Sequence, residues 1–515
     1  MNGTIKPVST ARTFWHLLCF QPWSYLLVLS TKLCFITLLP QATALLMRQF
    51  FDRLNGQGAM TWSVQTIVWL LVGIGLARTV TVVVDIVGNR VFRHPLGVLL
   101  RKNVLAYLFA QPAAQALIVS PGEAISHLRD DPTTIANFLY ETTFLVSQLL
   151  FALIALSVMV SINPWIAALV FGPLVVVILV ANRMRKRIER LSRLSRTTTD
   201  AIIECIGEIF GGIEAVQVAT AEPEVIERFR RLNADRRAAM LQSRLLHGLL
   251  ETFFRNIPAL GTGLIMLVAV QAMRTGSFTI GDFVLFAFYL GSLNETVFVI
   301  GLTATEYRHA TVALQRLIAL TKAAPPAALV EHGPIYQRGA AFVVTHPQKV
   351  AADRLEVLTV EGLSYGYPGS GRGIQNVSLQ LQRGTVTVIT GEVGAGKTTL
   401  LKILLGLLPR GGGTIHWNGL AVTDPATFFV PPRVAYVAQI PSLFSDSVLD
   451  NILLGLPEAQ VDLQQAVHAA VLEPDLAQLS DGLATCIGPR GKTIRWPTAA
   501  GGCGDVSAQP RIVAL

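Results

Sequence analysis

The sequence predicts an all-α transmembrane domain of six helices followed by an incomplete α/β P-loop nucleotide-binding domain. Three observations carry that expectation. Six apolar stretches in the first three-fifths of the chain are long enough to cross a bilayer. An apolar, β-branched run leads directly into a loop of the pattern G-x-x-x-x-G-K-[ST]. The regular patterning of the second domain ends at Gly491.

Composition agrees with a membrane protein of at least two domains. Of 515 residues, 51% are hydrophobic and only 15% charged, far from the balance of a soluble globular chain. The formal charge of +9 comes from arginines clustered beside the apolar stretches, where positive loops orient a membrane protein. That placement argues against nucleic acid as a partner. Cys19, Cys34, Cys205, Cys486 and Cys503 are scattered without the spacing of a zinc or redox pair. They are expected to be reduced thiols, mostly buried.

Met1 to Phe20 carries Lys6 and Arg12 before Phe14, Trp15, Leu17 and Leu18, with no small-residue cleavage site after them. An amphipathic elbow helix is expected there, with Trp15 and Trp23 at the lipid headgroup level.

A helix crosses the hydrocarbon core in about 20 apolar residues, because every backbone polar group must be satisfied within the segment. The stretches near 24–45, 62–87, 140–162, 165–182, 252–272 and 280–302 meet that need. Ser161 to Pro164 leaves room only for a tight turn between the third and fourth. The second and third, and the fourth and fifth, are joined by long polar stretches of helical periodicity. These contain Arg90, Arg93, Arg101 and Lys102, then Arg183, Arg185, Lys186, Arg187, Arg190, Arg193 and Arg196. By the positive-inside rule both are cytoplasmic, which puts both termini of a multi-pass cell-membrane protein inside. Arg48, Arg53 and Arg274 fall on the outer side. Lys32, Arg78 and Asp85 lie within or at the ends of spans, where substrate contact and a helix–helix ion pair or snorkelling are both open readings.

The transmembrane domain is expected over 1–322, a linker over 323–354 and the partial ATP-binding domain over 355–491, with an aberrant tail over 492–515. Leu355 to Val360 and Thr385 to Thr390 read as strands. Gly391, Glu392, Val393, Gly394, Ala395, Gly396, Lys397 and Thr398 come directly after the second strand and match the phosphate-loop pattern without a mismatch. Glycines let successive backbone N–H groups turn toward phosphate oxygens, and the helix after them adds its positive end. Lys397 would reach the β- and γ-phosphates and Thr398 would place its hydroxyl on Mg²⁺, with Thr399 completing the loop. The expected cofactors are ATP and Mg²⁺.

On these residues the chain resembles the ABC exporter family from the elbow helix to Gly491. Tyr367 stands where the family has the aromatic residue that stacks on adenine, with Tyr365 as a rival. VAYVAQIPSLFSDSVLDNILLG, from Val434 to Gly455, is similar to the family's Q-loop region. The resemblance implies that Gln439 contacts Mg²⁺ and the attacking water, and Leu443, Phe444 and Asn451 support the match. Ser120 to Asp131 and Glu214 to Glu222 are similar to the cytoplasmic loops that dock on the nucleotide domains. Glu306 to Leu320 resembles the helical exit from the sixth span. The resemblance as a whole implies a half-transporter that exports an unknown substrate, pairs with a second half-transporter of the same or another kind, and sits in a lipid bilayer.

After Gly491 the family shows LSGGQ, whereas this chain reads KTIRWPTAAGGCGDVSAQPRIVAL. No strand or helix signal is expected in that tail. Read one base later from codon 493, allowed codons yield LSGGQLQRAAAAMLVRNPELLL, and the single codon of Trp496 forces one of its glycines. A one-base insertion, or a two-base loss, just before codon 493 accounts for the break. A functional tail is the runner-up. Without the signature, the Walker B Asp, the catalytic Glu and the switch His, the written chain is expected to bind ATP at most.

Overall fold

The structure, a computed structural model, describes residues 10–56, 62–111, 119–321, 326–335, 350–367, 371–438, 443–488 and 513–514. Within the helices at 164–211 and 222–274, the side chains at 169–171, 173–178, 180–182, 185, 253–255 and 257–258 also lie outside the described set. The chain forms two compact units, residues 1–104 with 121–335, and residues 105–120 with 336–515.

Among the described residues, the regular elements of the first unit are all helices. Helix α1 spans Thr10–Phe20 and turns Phe14 and Leu17 inward while Trp15 stays exposed, as an elbow helix at an interface requires. Helix α2 spans Pro22–Leu54 with a π-helical turn at Leu33–Leu38. Helices α3, Val64–Ala110, and α4, Pro121–Ile162, come next. Helix α5, Pro164–Gly211, begins one residue after α4 ends, because Asn163 caps it by accepting from the N–H groups of Trp165 and Ile166 while Pro164 occupies the first turn. A short helix at Ile213–Val218 leads to α6, Glu222–Arg274, and then to α7, Ile280–Leu320. A capping box of Thr279 and Asp282 starts α7.

The six expected apolar stretches lie in helices, except for residues 62–63 ahead of Val64. Among the described residues, α2, α3, α4 and α7 carry apolar windows long enough to cross a membrane, and Ala259–Arg274 in α6 is a shorter apolar stretch. The core of this unit gathers Phe151, Ile265, Phe286, Tyr289 and Leu290 from α4, α6 and α7. Gln41 of α2 runs through it, donating to the Phe151 carbonyl and accepting from Tyr289 Oη.

Several charges inside the helices have partners among the described residues. Lys32 Nζ lies 2.8 Å from Asp85 Oδ2, which also accepts from Tyr140 Oη. Arg78 lies over the Phe35 ring. Arg48 Nε lies 2.7 Å from Asp282 Oδ1, whose residue is only 3% exposed. Beside it Asp52 accepts from the Gly281 N–H. A Cβ at Gly281 would collide with the Arg48 carbonyl and the Asp52 carboxylate, so glycine permits the close crossing of α2 and α7.

Two expectations change at the end of this unit. Residues 326–335, expected as linker, fold back on it: helix α8, Pro326–Leu329, is succeeded by carbonyls at Leu329 and Glu331 that accept from Asn103, and His332 meets the His16 carbonyl. Backbone carbonyls need donors, and these side chains supply them. The cysteines also differ. Cys205 is buried, but Cys19 and Cys486 are exposed and Cys34 is half-buried, because helical phase rather than residue type decides which face each occupies. Cys503 lies outside the described residues.

The second unit holds an antiparallel sheet of order β2-β1-β3-β4, from β1 Val357–Gly366, β2 Gly373–Gln382, β3 Gly412–Trp417 and β4 Leu420–Ala421. Helix α9, Lys397–Leu404, lays Leu400, Ile403 and Leu404 into one core with Leu358, Val360, Ile374 and Trp417. The sheet therefore carries the helix that comes after the glycine loop.

Thr385 to Thr390, expected as a strand, has no ladder partner among the described residues. Its alternating apolar side chains face solvent, with Val386 92% exposed. A strand is defined by its neighbours, and propensity alone cannot supply them. The tail also departs from expectation in one place, where a two-residue strand at Val513–Ala514 pairs antiparallel with β5, Ala435–Tyr436.

Candidate functional site

The candidate site is the loop from Gly391 to Thr399. Gly391, Gly394 and Gly396 have φ of 150°, 92° and 90°, conformations that side chains with a Cβ rarely adopt. The loop turns back on itself through the Ala395 N–H and the Glu392 carbonyl, and α9 starts at Lys397 directly behind the left-handed Gly396. Gly391 to Ala395 are exposed, Lys397 and Thr398 half-buried and Thr399 buried.

Lys397 Nζ donates to the carbonyls of Gly391 at 2.7 Å and Glu392 at 2.8 Å. Its ammonium is thus centred in the loop, at the positive end of α9. An ammonium, a helix N-terminus and glycine-freed N–H groups form a donor set suited to phosphate oxygens, so the residues present fit the phosphates of a nucleotide. Thr398 offers one hydroxyl to a metal. Among the described residues no group of three or more His, Cys, Asp or Glu side chains could hold a metal ion alone, so Mg²⁺ would have to rest on phosphate oxygens and Thr398.

The two tyrosines separate by environment. Tyr365 lies in β1 and packs against the sheet core, while Tyr367 comes just after the strand and is more exposed. Tyr367 Oη meets Thr399 Oγ1 at 3.2 Å, and the two rings meet edge-on at 5.0 Å between centroids. Tyr367 is therefore the aromatic residue tied to the loop.

Gln439 lies outside the described residues. The described segment after it is held by Asn451, one of the residues that support the match in the sequence. Asn451 accepts from the Phe444 N–H and donates to the carbonyls of Phe444 and Ser447, holding the segment that leaves the Q-loop region. Ile374, by contrast, is not legible in the sequence. It packs beneath Gly396, and an isoleucine in a β-strand carries no sequence signal of that role.

Residues 31–297, just over half of the chain, match the family model for the ABC transporter transmembrane region. Residues 374–485 match the model described as ABC transporter, which implies nucleotide binding with Mg²⁺ as the usual companion. The chain is 21% identical over 75% of its length to an uncharacterized ABC transporter ATP-binding protein of Bacillus subtilis (strain 168), covering 61% of that protein. It is 26% identical over 74% of its length to a probable multidrug resistance ABC transporter ATP-binding/permease protein of the same organism, covering 60%. It is 25% identical over 74% of its length to an ATP-dependent lipid A-core flippase of Burkholderia pseudomallei (strain 1710b), covering 58%. The chain spans about three-fifths of the length of these curated relatives.

Proposed function

The chain belongs to the ABC transporter family through its transmembrane region, and we propose that it is an exporter half-transporter in which ATP at the Gly391–Thr399 loop is coupled to movement of a substrate across the membrane. The observation that carries this reading is the left-handed glycine loop with Lys397 at its centre, in one chain with membrane-length apolar helices. The six-span arrangement with both termini cytoplasmic, and a second half-transporter as partner, complete the proposal. The relatives named for lipid A-core and for multidrug resistance support an amphiphilic cargo.

Bound ATP with Mg²⁺ supplies the phosphoanhydride whose binding and cleavage power the conformational change. Lys397 exchanges the Gly391 and Glu392 carbonyls for the β- and γ-phosphates. Gly391, Glu392, Val393, Gly394, Ala395 and Gly396 would present their backbone to the phosphates, Thr398 and Gln439 would hold Mg²⁺, and Thr399 would close the loop. Tyr367 stacks on the adenine, and Gln439 orients water. The test is titration of the full chain in lipid nanodiscs with a fluorescent ATP analogue and Mg²⁺. Lys397→Ala is expected to weaken binding roughly tenfold or more, since charge-assisted contacts to phosphate dominate. Equal affinity in the variant would overturn the assignment.

A second reading, that the chain holds ATP without turning it over, is favoured by the unpaired and exposed Thr385–Thr390 segment. Phosphoryl transfer depends on groups held rigidly around the phosphates, and a segment with no ladder partner among the described residues does not provide that rigidity where it leads into the loop. ATPase activity of this chain at background, against clear activity after a one-base correction before codon 493, distinguishes the two readings. Equal activity of both forms would sink the second.

A further inference from the structure

We propose that α6, in its stretch outside the bilayer, binds a soluble organic anion carrying two or more phosphate charges. The site is the groove lined by Asn233, Arg236, Arg237, Met240, Leu241 and Arg244. It is separate in sequence from the Gly391–Thr399 loop, and the exporter reading uses none of its residues.

Steps of three and four residues put all six side chains on one face of the helix, in two adjacent rows. The groove they line holds about 460 Å³, within the roughly 300–1,000 Å³ of small-molecule sites. Three guanidinium groups beside one another repel, and a purely structural surface would match them with carboxylates. Other arginines of this hairpin are matched in that way: Arg228 lies 2.9 Å from Glu208, and Arg193 lies 3.6 Å from Glu189. Arg236, Arg237 and Arg244 make no ion pair or hydrogen bond among the described residues. Asp235 is next to Arg236 in the chain, and Asp200 of α5 is level with it in the register that the Arg228–Glu208 pair sets. Neither carboxylate pairs with it.

Arg236 Nε is moreover buried without a partner, and a buried donor left unmade is costly until a ligand supplies the acceptor. Guanidinium forks meet phosphate oxygens two at a time, so three of them suit more than one phosphate group. Between Arg236 and Arg244, the half-buried Met240 and the exposed Leu241 form an apolar strip. A guanidinium plane also stacks on an aromatic ring, so the ligand's body is best aromatic. The apolar stretch of α6 begins near 252. At the helical rise, Arg244 stands about 12 Å and Arg236 about 24 Å ahead of it. The headgroup layer is roughly 5–8 Å deep on each side of a bilayer. Lipid phosphates therefore do not span the groove, whereas a dissolved anion does.

The test uses the full chain in nanodiscs of zwitterionic lipid, with empty nanodiscs subtracted. Adenosine 3′,5′-bisphosphate is the probe, and adenosine is its uncharged counterpart with the same aromatic body. Lys397→Ala is present throughout, to remove the ammonium of the nucleotide loop. Saturable bisphosphate binding is expected, with none of adenosine. Arg236→Gln and Arg244→Gln should each weaken it roughly tenfold, while Arg193→Gln, whose residue is paired with Glu189 outside the groove, should leave it unchanged. Anionic lipid in the nanodisc should not compete. Arg244 is exposed, so its variant reads binding even where Arg236→Gln disturbs the helix. Unchanged affinity in Arg244→Gln, saturable binding of adenosine, or displacement of the bisphosphate by anionic lipid would overturn the proposal, the last by making a lipid headgroup the occupant.

Discussion

Ile374 lies directly beneath Gly396: a Cβ at 396 would stand 2.7 Å from Ile374 Cγ2. Gly396 also holds a φ of 90°, which costs a residue with a Cβ about 1–3 kcal/mol. Gly396→Ala should therefore weaken binding of a fluorescent ATP analogue roughly tenfold. Adding Ile374→Val should recover the steric part and leave the backbone part. Unchanged affinity in the single variant would mean that the close approach does not shape the loop.

Tyr367 and Tyr365 give different variants. Base stacking is worth about 1–3 kcal/mol, so Tyr367→Ala should weaken nucleotide binding roughly tenfold, while Tyr367→Phe keeps the ring and stays close to the unsubstituted affinity. Tyr365 packs on the sheet core, so Tyr365→Ala should lower the unfolding midpoint by about 2 kcal/mol or more of stability. The opposite pattern in the binding titrations would hand the stacking role to Tyr365.

The Arg48–Asp282 pair ties α2 to α7 with Asp282 almost wholly buried. Truncating one partner of a buried pair leaves the other uncompensated, which costs about 3–5 kcal/mol. Asp282→Ala also removes the capping box that starts α7. Its thermal midpoint in lipid should fall well below that of an exposed control such as Glu189→Ala, and a midpoint equal to the control's would disprove the tie.

Thr385 to Thr390 should exchange its backbone amides quickly, because no ladder protects them among the described residues. If a one-base correction before codon 493 restores a neighbouring strand, hydrogen exchange there should slow by on the order of a hundredfold. Fast exchange in both forms would exclude a restored strand beside the loop.

Asp131 lies on α4 ahead of the apolar stretch 140–162 and is buried. Burial pushes its carboxyl above the usual range, although His127 and Arg316 pull it back. A raised folded-state value means that the folded protein holds this proton more tightly than the unfolded chain. Its stabilising contribution is fully present below about pH 4 and is lost as pH rises through the raised value. Asp131→Asn should flatten that loss, so its stability relative to the unsubstituted chain should improve with rising pH across this window. A constant difference across the window would contradict the burial argument.

The two-part architecture is legible in the sequence, because apolar length and the glycine-rich phosphate loop are local properties. Residues separated by a few positions suffice to define a membrane-length helix or the left-handed turns at Gly394 and Gly396. Whatever depends on distant neighbours emerges in the folded chain alone. Lys32, open between substrate contact and ion pairing in the sequence, is paired with Asp85, and Tyr367 is tied to Thr399 while Tyr365 goes to the core. The apolar run Thr385–Thr390 has strand propensity but no ladder partner among the described residues, because a ladder exists only where a second segment supplies the other half of each hydrogen bond.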